Sequence, residues 1–440
     1  MNSLRYPPNV QWEVTSECNH NCIHCYNYWR KDNQKIAGMC KFRTEEEYLL
    51  LASKIAEQQP VSVVITGGEP LLVFEKIKSS IELLLKKGIL VSINTNAALL
   101  TEEIVDFLVE HKMSLFVSFP SSNEETCDAI TGTKGSAKRI VEKLDLAYAK
   151  KLPFTTNIVV SMANILYLQE TVTFLKERYN LPNVYITRVG KPINSDESFN
   201  RFMLDFGTLS TLQEICVHIS QNMGMTVETS CPYTACSLYS KEAFDLFAYT
   251  KACTAGRTSY AIDTEGNVKA CPRDSTLYGN ILSEDFEGIW TKMDDWRNGS
   301  FIPEECKKCT SLSMCMGGCR VDSLPFTGRL DRLDTISNMA NYPIKYIKEP
   351  TNPHVKFYLT DSFVVPNNIN FTQEKEGFYR VAVNRKYMFI TPALFEFLST
   401  RNIFTLSDLA KEFHVSEDVA NNVVKTLVSN TIIYIKPKGE

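Results

Sequence analysis

Residues 18–26 read CNHNCIHCY, a stretch with three thiols spaced CxxxCxxC and an aromatic side chain directly behind the last one. The alternating apolar run Val10–Val14 precedes it and predicts a β-strand, so Cys18, Cys22 and Cys25 lie on the loop at that strand's carboxyl end. Three thiolates leave a tetrahedral zinc site one ligand short, whereas they hold three irons of a 4Fe–4S cube and leave the fourth open. The stretch therefore predicts an iron at which a substrate or cofactor binds.

A second motif, GGEP at residues 67–70, follows another apolar run at Val61–Ile65. Glycines allow the backbone to approach a ligand closely, and the carboxylate of Glu69 accepts hydrogen bonds from an ammonium group. With both motifs, the chain resembles the radical S-adenosylmethionine (SAM) enzymes. The alternative for the first motif is a zinc loop or a set of free buried thiols.

This resemblance implies a 4Fe–4S cluster whose open iron is chelated by the amino and carboxyl groups of SAM. One electron then cleaves the sulfonium to methionine and a 5′-deoxyadenosyl radical. The resemblance also implies that GGEP contacts the SAM amino group and that the aromatic side chain lies near adenine. The cofactor-binding residues expected from the two motifs are Tyr26, Gly67, Gly68, Glu69 and Pro70.

Strand-like and helix-like segments alternate from residue 9 to about 225. The predicted strands cover Val10–Val14, Val61–Ile65, Ile89–Ile93, Ser114–Phe119, Thr155–Val160 and Val184–Arg188. The predicted helices cover about Thr44–Gln59, Phe74–Lys87, Thr101–His111, Ser136–Lys150 and Leu166–Arg178. Thr44 and Glu47 predict a capping box at the start of the first helix, and Gly88 is the predicted C′ stop of the second. This order predicts an α/β fold with a parallel sheet, either a partial barrel or doubly wound, with the site at the carboxyl ends of the strands. The resemblance selects a partial (β/α)6 TIM barrel.

Polar residues at the ends of the later strands are further candidates for cofactor binding. The stretch that contains Asn94 and Asn96 resembles the ribose-contacting segment of the family. The other candidates on strands are Ser118, Asn157 and Arg188. The alternative for each is ordinary capping or solvation of a strand end.

The middle of the chain is rich in cysteine, with eight of the 14 thiols between Cys231 and Cys319. Turn residues between Tyr260–Ile262 and Val268–Ala270 predict a β-hairpin with a thiol near each base. The close spacing CxxCx5CxxxC that begins at Cys306 indicates a metal centre. By itself this pattern fits a zinc ribbon or one or two iron–sulfur clusters.

The pattern Cx12Gx4C followed by CxxCx5CxxxC resembles the SPASM domain of radical SAM maturases. The resemblance assigns Cys253, Cys271 and Cys319 to a first auxiliary 4Fe–4S cluster, and it assigns Cys306, Cys309 and Cys315 to a second. No cysteine follows Cys319, so we expect the second cluster to lack its usual fourth thiolate, with Asp322, a substrate atom or water in its place. Cys231 and Cys236 are equal candidates to complete the first cluster.

The tail after about residue 350 contains no cysteine and follows a polar linker punctuated by Pro343, Pro350 and Pro353. Its predicted elements are strands at Phe378–Val383 and Tyr387–Ile390, helices at Ala393–Leu398, Ser407–Phe413 and Glu417–Val428, and a strand at Thr431–Ile435. This order is typical of a small winged helix. Residues 351–440 carry ten Lys and Arg against nine Asp and Glu, a net charge of +1 that argues against DNA binding.

The stretch Tyr379–Tyr434 resembles the precursor-recognition domain of ribosomal-peptide biosynthesis, which captures a leader peptide between its third strand and third helix. The alternative is a structural cap without a ligand. The expected domains are therefore residues 1–225 for the radical SAM core, 226–345 for the SPASM domain and 350–440 for the winged-helix-like domain.

Composition narrows the class of protein. The 440 residues are 44% hydrophobic and 22% charged, with a formal net charge of −4, so no electrostatic case exists for nucleic acid or an anionic membrane as partner. Residues 1–9 lack the apolar segment of a signal peptide, and no apolar run has the length of a spanning helix. We expect a cytoplasmic protein whose cysteines bind metal or clusters rather than form disulfides.

The sequence thus predicts a radical SAM/SPASM maturase that abstracts hydrogen from a ribosomally made precursor peptide and installs a thioether, carbon–carbon or ether cross-link or another oxidation. The implied partners are the precursor with its leader and a reductant such as flavodoxin or ferredoxin. The tail is expected to capture the leader and so to place the core segment of the precursor over the barrel mouth. Asp274, shortly after Cys271, is a candidate general base. A maturase of folded sulfatase-type proteins is the second hypothesis. A zinc-dependent winged-helix transcription regulator is the alternative from another class.

Overall fold

The structure is a computed structural model, and it describes residues 7–27, 30–31, 34–35, 43–248, 252–339, 360–367, 369–374, 377–383 and 386–436. The predicted linker with Pro343, Pro350 and Pro353 lies outside the described residues. Within the described ranges, no helix has both the length and the apolar character needed to cross a membrane.

The N-terminal part alternates strands with helices. Its strands are β1 (Asn9–Thr15), β2 (Arg30–Lys31), β3 (Gln34–Lys35), β4 (Ser62–Gly67), β5 (Leu90–Thr95), β6 (Ser114–Ser118), β7 (Phe154–Val160), β8 (Asn183–Arg188) and β9 (Thr226–Glu228). Its helices are α1 (Glu45–Glu57), α2 (Phe74–Lys86), α3 (Glu102–Glu110), α4 (Glu124–Thr131), α5 (Ser136–Ala149), α6 (Leu168–Tyr179) and α7 (Phe206–Asn222).

The predicted parallel sheet is confirmed. The strands lie side by side in the order β1-β4-β5-β6-β7-β8-β9, and every neighbouring pair is parallel. This arrangement is the α/β partial barrel of the prediction. The register of β1 on β4 pairs Thr15 with Gly67, so the CxxxCxxC loop and the GGEP turn leave the same edge of the sheet next to each other.

Local sequence explains where the helices begin and end. The Thr44 hydroxyl accepts a hydrogen bond from the Glu47 amide, and the Glu47 side chain accepts one from the Thr44 amide, which is the capping box predicted for α1. Gly88 has φ +76° directly after the C-cap of α2, as predicted for a C′ glycine. The apolar faces of the helices cover the sheet, as Tyr48 does when its ring meets the Trp12 ring edge-on.

The cysteine-rich part continues the barrel's sheet. Its elements are α8 (Lys241–Phe247), β10 (Ser259–Ile262), β11 (Asn267–Lys269), β12 (Gly279–Asn280), α9 (Phe286–Thr291), α10 (Asp295–Asn298), α11 (Leu312–Cys315) and α12 (Arg320–Thr327). The predicted hairpin is confirmed as the antiparallel pair β10–β11. Strand β10 also pairs in parallel with β1, so the hairpin is attached to the strand that leads into the CxxxCxxC loop.

The C-terminal part has its own apolar core, formed by residues between Phe363 and Ile433. Its elements are β13 (Ser362–Val364), β14 (Asn370–Gln373), β15 (Tyr379–Val383), β16 (Lys386–Ile390), α13 (Pro392–Ser399), β17 (Ile403–Thr405), α14 (Leu406–Glu412), α15 (Glu417–Ser429) and β18 (Tyr434–Ile435). The strands form two small sheets in the orders β14-β15-β16 and β17-β13-β18. The sequence analysis missed β13, β14 and β17, which are only three or four residues long; β13 and β17 also pair with each other across about 40 residues of chain.

Contacts place this C-terminal unit at one end of the barrel. Arg380 Nη2 donates to the carbonyl of Gln59 at 2.9 Å, and the side chains of Tyr387 and Thr258 form a hydrogen bond. Gln59 lies shortly before β4 and Thr258 directly before β10. The unit therefore meets the barrel at the amino ends of the strands, opposite the ends that carry the sequence motifs.

Candidate active site

A cavity of about 180 Å³ opens at the carboxyl ends of the barrel strands. The predicted residues that line it are Cys18, Cys22, Cys25, Tyr26, Gly67, Gly68, Glu69, Asn94, Asn96, Ser118, Asn157 and Arg188. The structure thus brings together the predicted ligands of the SAM cluster and the predicted cofactor-binding residues, with the exception of Pro70. Pro70 is buried at the start of a 3₁₀ turn, where it shapes the backbone behind Glu69.

The CxxxCxxC loop is held against α4, a helix that the sequence analysis did not predict. The amides of Asn21 and Ile23 donate to the carbonyls of Thr131 and Ile130 at 2.8 and 2.9 Å. These bonds fix the backbone between the three thiols from outside the loop. The helix ends at Gly132, whose φ of +62° lets it pass close to Asn21.

The two glycines of GGEP pack against backbone rather than against the cavity alone. The amide of Gly68 donates to the carbonyl of Thr15 at 2.6 Å, and that of Glu69 donates to the carbonyl of Glu17 at 2.7 Å. A Cβ atom at Gly68 would lie 1.9 Å from the Glu17 carbonyl oxygen, and one at Gly67 would lie 2.3 Å from that of Thr15. The sequence analysis expected the glycines to admit a ligand. The structure shows that the lack of side chains at Gly67 and Gly68 leaves room for the backbone at the end of β1, which leads into the cluster loop.

We therefore expect Gly68→Ala to displace the GGEP turn from the cluster loop and to lower SAM binding and iron content together. Gly288→Ala is the matched control, because a Cβ at Gly288 meets nothing within 4 Å. Equilibrium dialysis with labelled SAM and iron analysis of both proteins would measure the effects. A Gly68→Ala protein that binds SAM and iron as the control does would contradict the packing argument.

Glu69 presents a buried carboxylate to the cavity. Its Oε1 accepts hydrogen bonds from the Thr95 hydroxyl at 2.6 Å and the Leu71 amide at 3.1 Å, and its Oε2 accepts one from the Asn96 amide at 2.8 Å. Burial raises the pKa of Glu69, and the three hydrogen bonds oppose that rise. A buried carboxylate of this kind is suited to an ammonium group, which adds the missing positive charge.

Asn27 adds an acceptor to the same wall. Its Nδ2 donates to the carbonyl of Gly67 at 3.1 Å, while its Oδ1 is buried without a hydrogen-bond partner among the described residues. An acceptor left over beside the Glu69 carboxylate fits a ligand with several N–H donors. The donors and acceptors present therefore fit SAM.

The aromatic and imidazole side chains of the loop line the cavity beside the thiols, with His20 buried and Tyr26 and His24 half-buried. Burial raises the pKa of Tyr26, whose hydroxyl bonds the Thr66 side chain. Burial also lowers the pKa of His24 to about 4, so that imidazole is neutral. His20 lies 3% exposed and lines the same cavity.

Arg188 reaches the cavity, but its guanidinium is committed to the cysteine-rich part. Its Nη1 contacts Asp322 Oδ2, and its Nη2 lies 2.8 Å from Asp334 Oδ2. All three side chains are at most 1% exposed. Arg188 is therefore chiefly the link between the barrel and the cysteine-rich part, a role that the prediction of a simple cofactor contact missed.

Arg273, which the sequence analysis did not single out, extends this charge network to the thiols. Its Nη2 lies 2.5 Å from Asp322 Oδ1, and its Nη1 lies 3.7 Å from Cys319 Sγ and 4.0 Å from Cys231 Sγ. A Cβ at Gly190 would lie 2.2 Å from Arg273 Nη2 and 2.5 Å from Asp322 Oδ1, so any side chain there would have to displace this ion pair. Its position two residues after Cys271, a predicted cluster ligand, was the sequence feature that could have identified Arg273 as part of the site.

The thiols of the cysteine-rich part form two groups. Arg273 joins Cys231 and Cys319, and electrostatic interactions connect Cys231 with Cys253 and Cys253 with Cys271. The second group lines a small separate cavity and consists of Cys236, Cys306, Cys309 and Cys315. Cys319 lies with the first group and Cys306, Cys309 and Cys315 lie in the second, which is the division that the resemblance implies and not the single zinc set of the alternative. One expectation is corrected, because Asp322 is engaged by two arginines beside Cys231 and Cys319 and does not face the second group.

Asp274 lies outside the lining of the central cavity. It is fully buried, its Oδ1 accepts from the Thr276 amide at 3.1 Å, and burial raises its pKa. Its position gives no support to the predicted role of general base, because a base has to reach the proton that it removes.

A second buried ion pair lies beneath Tyr26. Lys269 Nζ is 2.8 Å from Glu13 Oε2, and both side chains are at most 1% exposed. Burial raises the pKa of Glu13 to about 7 against the opposing effect of Lys269. Because Glu13 belongs to β1 and Lys269 to β11, this pair ties the hairpin to the strand that carries the cluster loop.

Comparisons with known proteins agree with this geometry. Residues 12–175 match the model of the Radical SAM superfamily, and residues 253–310 match that of the SPASM iron–sulfur cluster-binding domain. The first range contains the CxxxCxxC loop and GGEP, and the second contains four of the thiols discussed above, Cys253, Cys271, Cys306 and Cys309.

Similar proteins differ in what they make. The AdoMet-dependent heme synthase of Methanosarcina barkeri is 26% identical over 344 residues, which cover 73% of this chain and 93% of that protein. The PqqA peptide cyclase of Granulibacter bethesdensis is 24% identical over 349 residues, or 76% of this chain and 88% of that protein. Streptococcus suis SuiB, solved with S-adenosylmethionine and with its precursor peptide SuiA, has a similar fold. Its TM-score is 0.60 at 18% identity, over 77% of this chain and 78% or 77% of SuiB.

Proposed function

We propose that this protein, a radical SAM enzyme with a SPASM iron–sulfur domain, modifies a ribosomally made precursor peptide. In this proposal a hydrogen atom is abstracted from a residue of the peptide's core segment, and a thioether, carbon–carbon or ether cross-link or another oxidation results. The C-terminal unit, a winged-helix-like recognition domain in this proposal, binds the leader. A reductant such as flavodoxin or ferredoxin supplies the electron.

The C-terminal unit is the observation that carries the proposal. Strand β16 lies at the edge of its sheet, and Phe389 on that strand is 41% exposed. An open strand edge with an apolar side chain binds an extended peptide by adding it as a further strand. The region aligned with the heme synthase covers 93% of that protein but only 73% of this chain. This chain therefore has a substantial segment beyond the part that the two proteins share.

The position of the unit requires a correction to the expectation that it presents the core segment directly over the barrel mouth. Its contacts through Arg380 and Tyr387 lie at the amino ends of the strands, whereas the cavity opens at the carboxyl ends. A six-residue strand such as β4 spans roughly 20 Å. A leader held at β16 therefore has to continue along the outside of the barrel before the core segment reaches the cavity.

The barrel's own residues would hold the cofactors. Cys18, Cys22 and Cys25 would bind the cluster, and Glu69 together with Asn27 would accept hydrogen bonds from the amino group of SAM. When bound, the cluster and SAM supply a 5′-deoxyadenosyl radical. Arg188 and Arg273, each held in ion pairs with buried aspartates, would keep the far wall of the cavity rigid and orient polar groups of a substrate there.

The experiment that tests the proposal offers the anoxic, reduced enzyme two kinds of substrate with SAM. One arm contains the short peptides encoded by reading frames adjacent to its gene, and the other contains Fe-coproporphyrin III. We expect the mass of one peptide to fall by the mass of the hydrogen atoms that are removed from it. We also expect that peptide to increase the formation of 5′-deoxyadenosine. Conversion of the porphyrin with no change in any peptide would overturn the proposal in favour of heme synthesis, which the similarity to the heme synthase makes the second candidate.

A substitution on β16 separates recognition from chemistry. Phe389→Glu is expected to weaken binding of the peptide substrate at least about tenfold, because a charge replaces an apolar contact on the strand edge, while SAM cleavage without peptide stays unchanged. Ile403→Glu is the matched control, since Ile403 is 50% exposed on β17 of the other sheet. Fluorescence anisotropy of the labelled peptide measures the affinity. Equal losses in both variants would argue against β16 as the binding edge.

The remaining alternatives differ in substrate or class. A maturase of folded sulfatase-type proteins would use the same barrel chemistry, and addition of a folded sulfatase to the experiment above would detect it. The regulator hypothesis is withdrawn, because the chain is a radical SAM enzyme and its Cys306–Cys319 run does not form a single metal set.

A further inference from the structure

Cys236 is the thiol that the pattern of the chain leaves without an assignment. It lies five residues after Cys231, yet the two side chains belong to different groups. Cys231 lines the central cavity near Arg273, whereas Cys236 lines the small cavity together with Cys306, Cys309 and Cys315. The segment between them therefore delivers one thiol to each side of the cysteine-rich part.

Packing against α7 fixes the position of Cys236. A 3₁₀ turn at Ala235–Ser237 carries the thiol. Gln213, buried on α7, donates from Nε2 to the Ser237 carbonyl at 2.8 Å and accepts at Oε1 from the Tyr239 amide at 3.1 Å. Two hydrogen bonds to one buried amide therefore hold the chain directly after Cys236 against α7.

The same turn also faces the other thiols of the group. The backbone amides of Ala235 and Gly317 hydrogen-bond the Cys315 sulfur. Electrostatic interactions connect Cys306 with Cys236, Cys309 and Cys315. Amide groups directed at cysteine sulfur are one of the means by which proteins stabilise iron–sulfur clusters.

We propose that Cys236 is the fourth ligand of the second auxiliary cluster, with Cys306, Cys309 and Cys315, and that Cys231 completes the first with Cys253, Cys271 and Cys319. The chain thus replaces a ligand expected after Cys319 by one that lies 70 residues before Cys306. Each ligand loses its thiol proton on binding iron, and no oxidant or reductant is needed for ligation. The inference rests on the SPASM match and not on the peptide substrate.

Full thiolate ligation has a functional consequence. A cube with four protein thiolates has no open iron, so neither auxiliary cluster binds the substrate. Both clusters are then limited to electron transfer, and the substrate is held by the cavity wall alone. This deepens the proposed function, because the electron that leaves a radical product has two fully ligated clusters to enter.

The test uses the full chain in a Cys18→Ala/Cys22→Ala/Cys25→Ala background, in which iron remains only in the auxiliary clusters. Iron, sulfide and Mössbauer spectra of the anoxically reconstituted protein are expected to correspond to two cubes. Cys306→Ala/Cys309→Ala, added to that background, should leave the spectrum of one. Further addition of Cys236→Ala should change nothing, whereas addition of Cys231→Ala should remove most of the remaining iron.

Two results would overturn the proposal. One is loss of the surviving cluster when Cys236 is replaced in the Cys306→Ala/Cys309→Ala protein. The other is an unaltered two-cube spectrum when Cys236 alone is replaced. Cys236→Ser guards against simple misfolding, because serine keeps the turn and is expected to retain the second cluster with a shifted spectrum. Cys216→Ala, at a buried thiol of α7 outside both groups, should leave iron content unchanged.

Discussion

Replacement of Cys22 by alanine is expected to abolish the formation of 5′-deoxyadenosine from SAM. Cys22 is the middle thiol of the CxxxCxxC loop and lines the cavity with Cys18 and Cys25, where we propose that the three bind the cluster. With two thiolates left, the loop no longer holds three irons of a cube, so the open iron that SAM requires is lost. Anoxic incubation with dithionite and SAM, followed by chromatography, measures the product.

The control for this prediction is Cys216→Ala, which removes a thiol that is fully buried and remote from the cavity lining. That variant should retain cleavage at close to the rate of the unaltered enzyme. A Cys22→Ala protein that still releases 5′-deoxyadenosine at the control rate would refute the assignment of the loop. Iron analysis of the same samples should show that the variant keeps its auxiliary iron.

The second large effect is expected for Asp322→Asn. Asp322 lies between two arginines, in contact with Arg188 and 2.5 Å from Arg273, and it is 1% exposed. The substitution keeps the shape of the side chain and removes the negative charge that both guanidinium groups face. Removing one partner of a buried ion pair costs about 3–5 kcal/mol. Here Arg188 keeps its pair with Asp334, whereas Arg273 loses its pair with Asp322, so we expect a loss near the lower end of that range.

Anoxic denaturation in guanidinium chloride measures this change as a lower unfolding midpoint. Asp145→Asn is the matched control, because the Asp145–Arg178 pair is 2.6 Å long but lies on the surface. Exposed pairs contribute little, so the control midpoint should hardly move. Equal midpoints for the two variants would show that the buried network does not connect the barrel with the cysteine-rich part.

Local patterns in the sequence were sufficient to predict the parallel α/β sheet, whereas the choice of a partial barrel over a doubly wound sheet came from the family resemblance. Alternating apolar residues predicted the six strands, and the capping box at Thr44 and the glycine at position 88 predicted the ends of α1 and α2. These features depend on neighbours a few residues apart. Helix α4 was missed because its short run Glu124–Thr131 has only Cys127, Ile130 and Thr131 buried, too few residues for a clear period.

Local sequence patterns could not predict contacts between distant parts of the chain. In the sequence Arg188 is an ordinary residue at the end of a strand. Nothing near it indicates its ion pairs with Asp322 and Asp334, which lie more than 130 residues later in the chain. The placement of Cys231 and Cys236 in different groups depends likewise on how Gln213 on α7 holds the chain directly after Cys236. Spacing identifies which residues are able to bind metal, whereas tertiary packing decides which of them meet.

The C-terminal unit is attached at the amino ends of the barrel strands, so a peptide bound there would reach the cavity only with residues at a fixed distance from the binding point. If a leader is anchored at that end, about six extended residues are needed simply to match the height of the strands. Side chains close to the anchor then never arrive at the radical, whatever their chemistry. Selection among identical residues of one substrate would follow from their distance along the chain, and shortening the stretch between anchor and target would move the modification towards the carboxyl terminus.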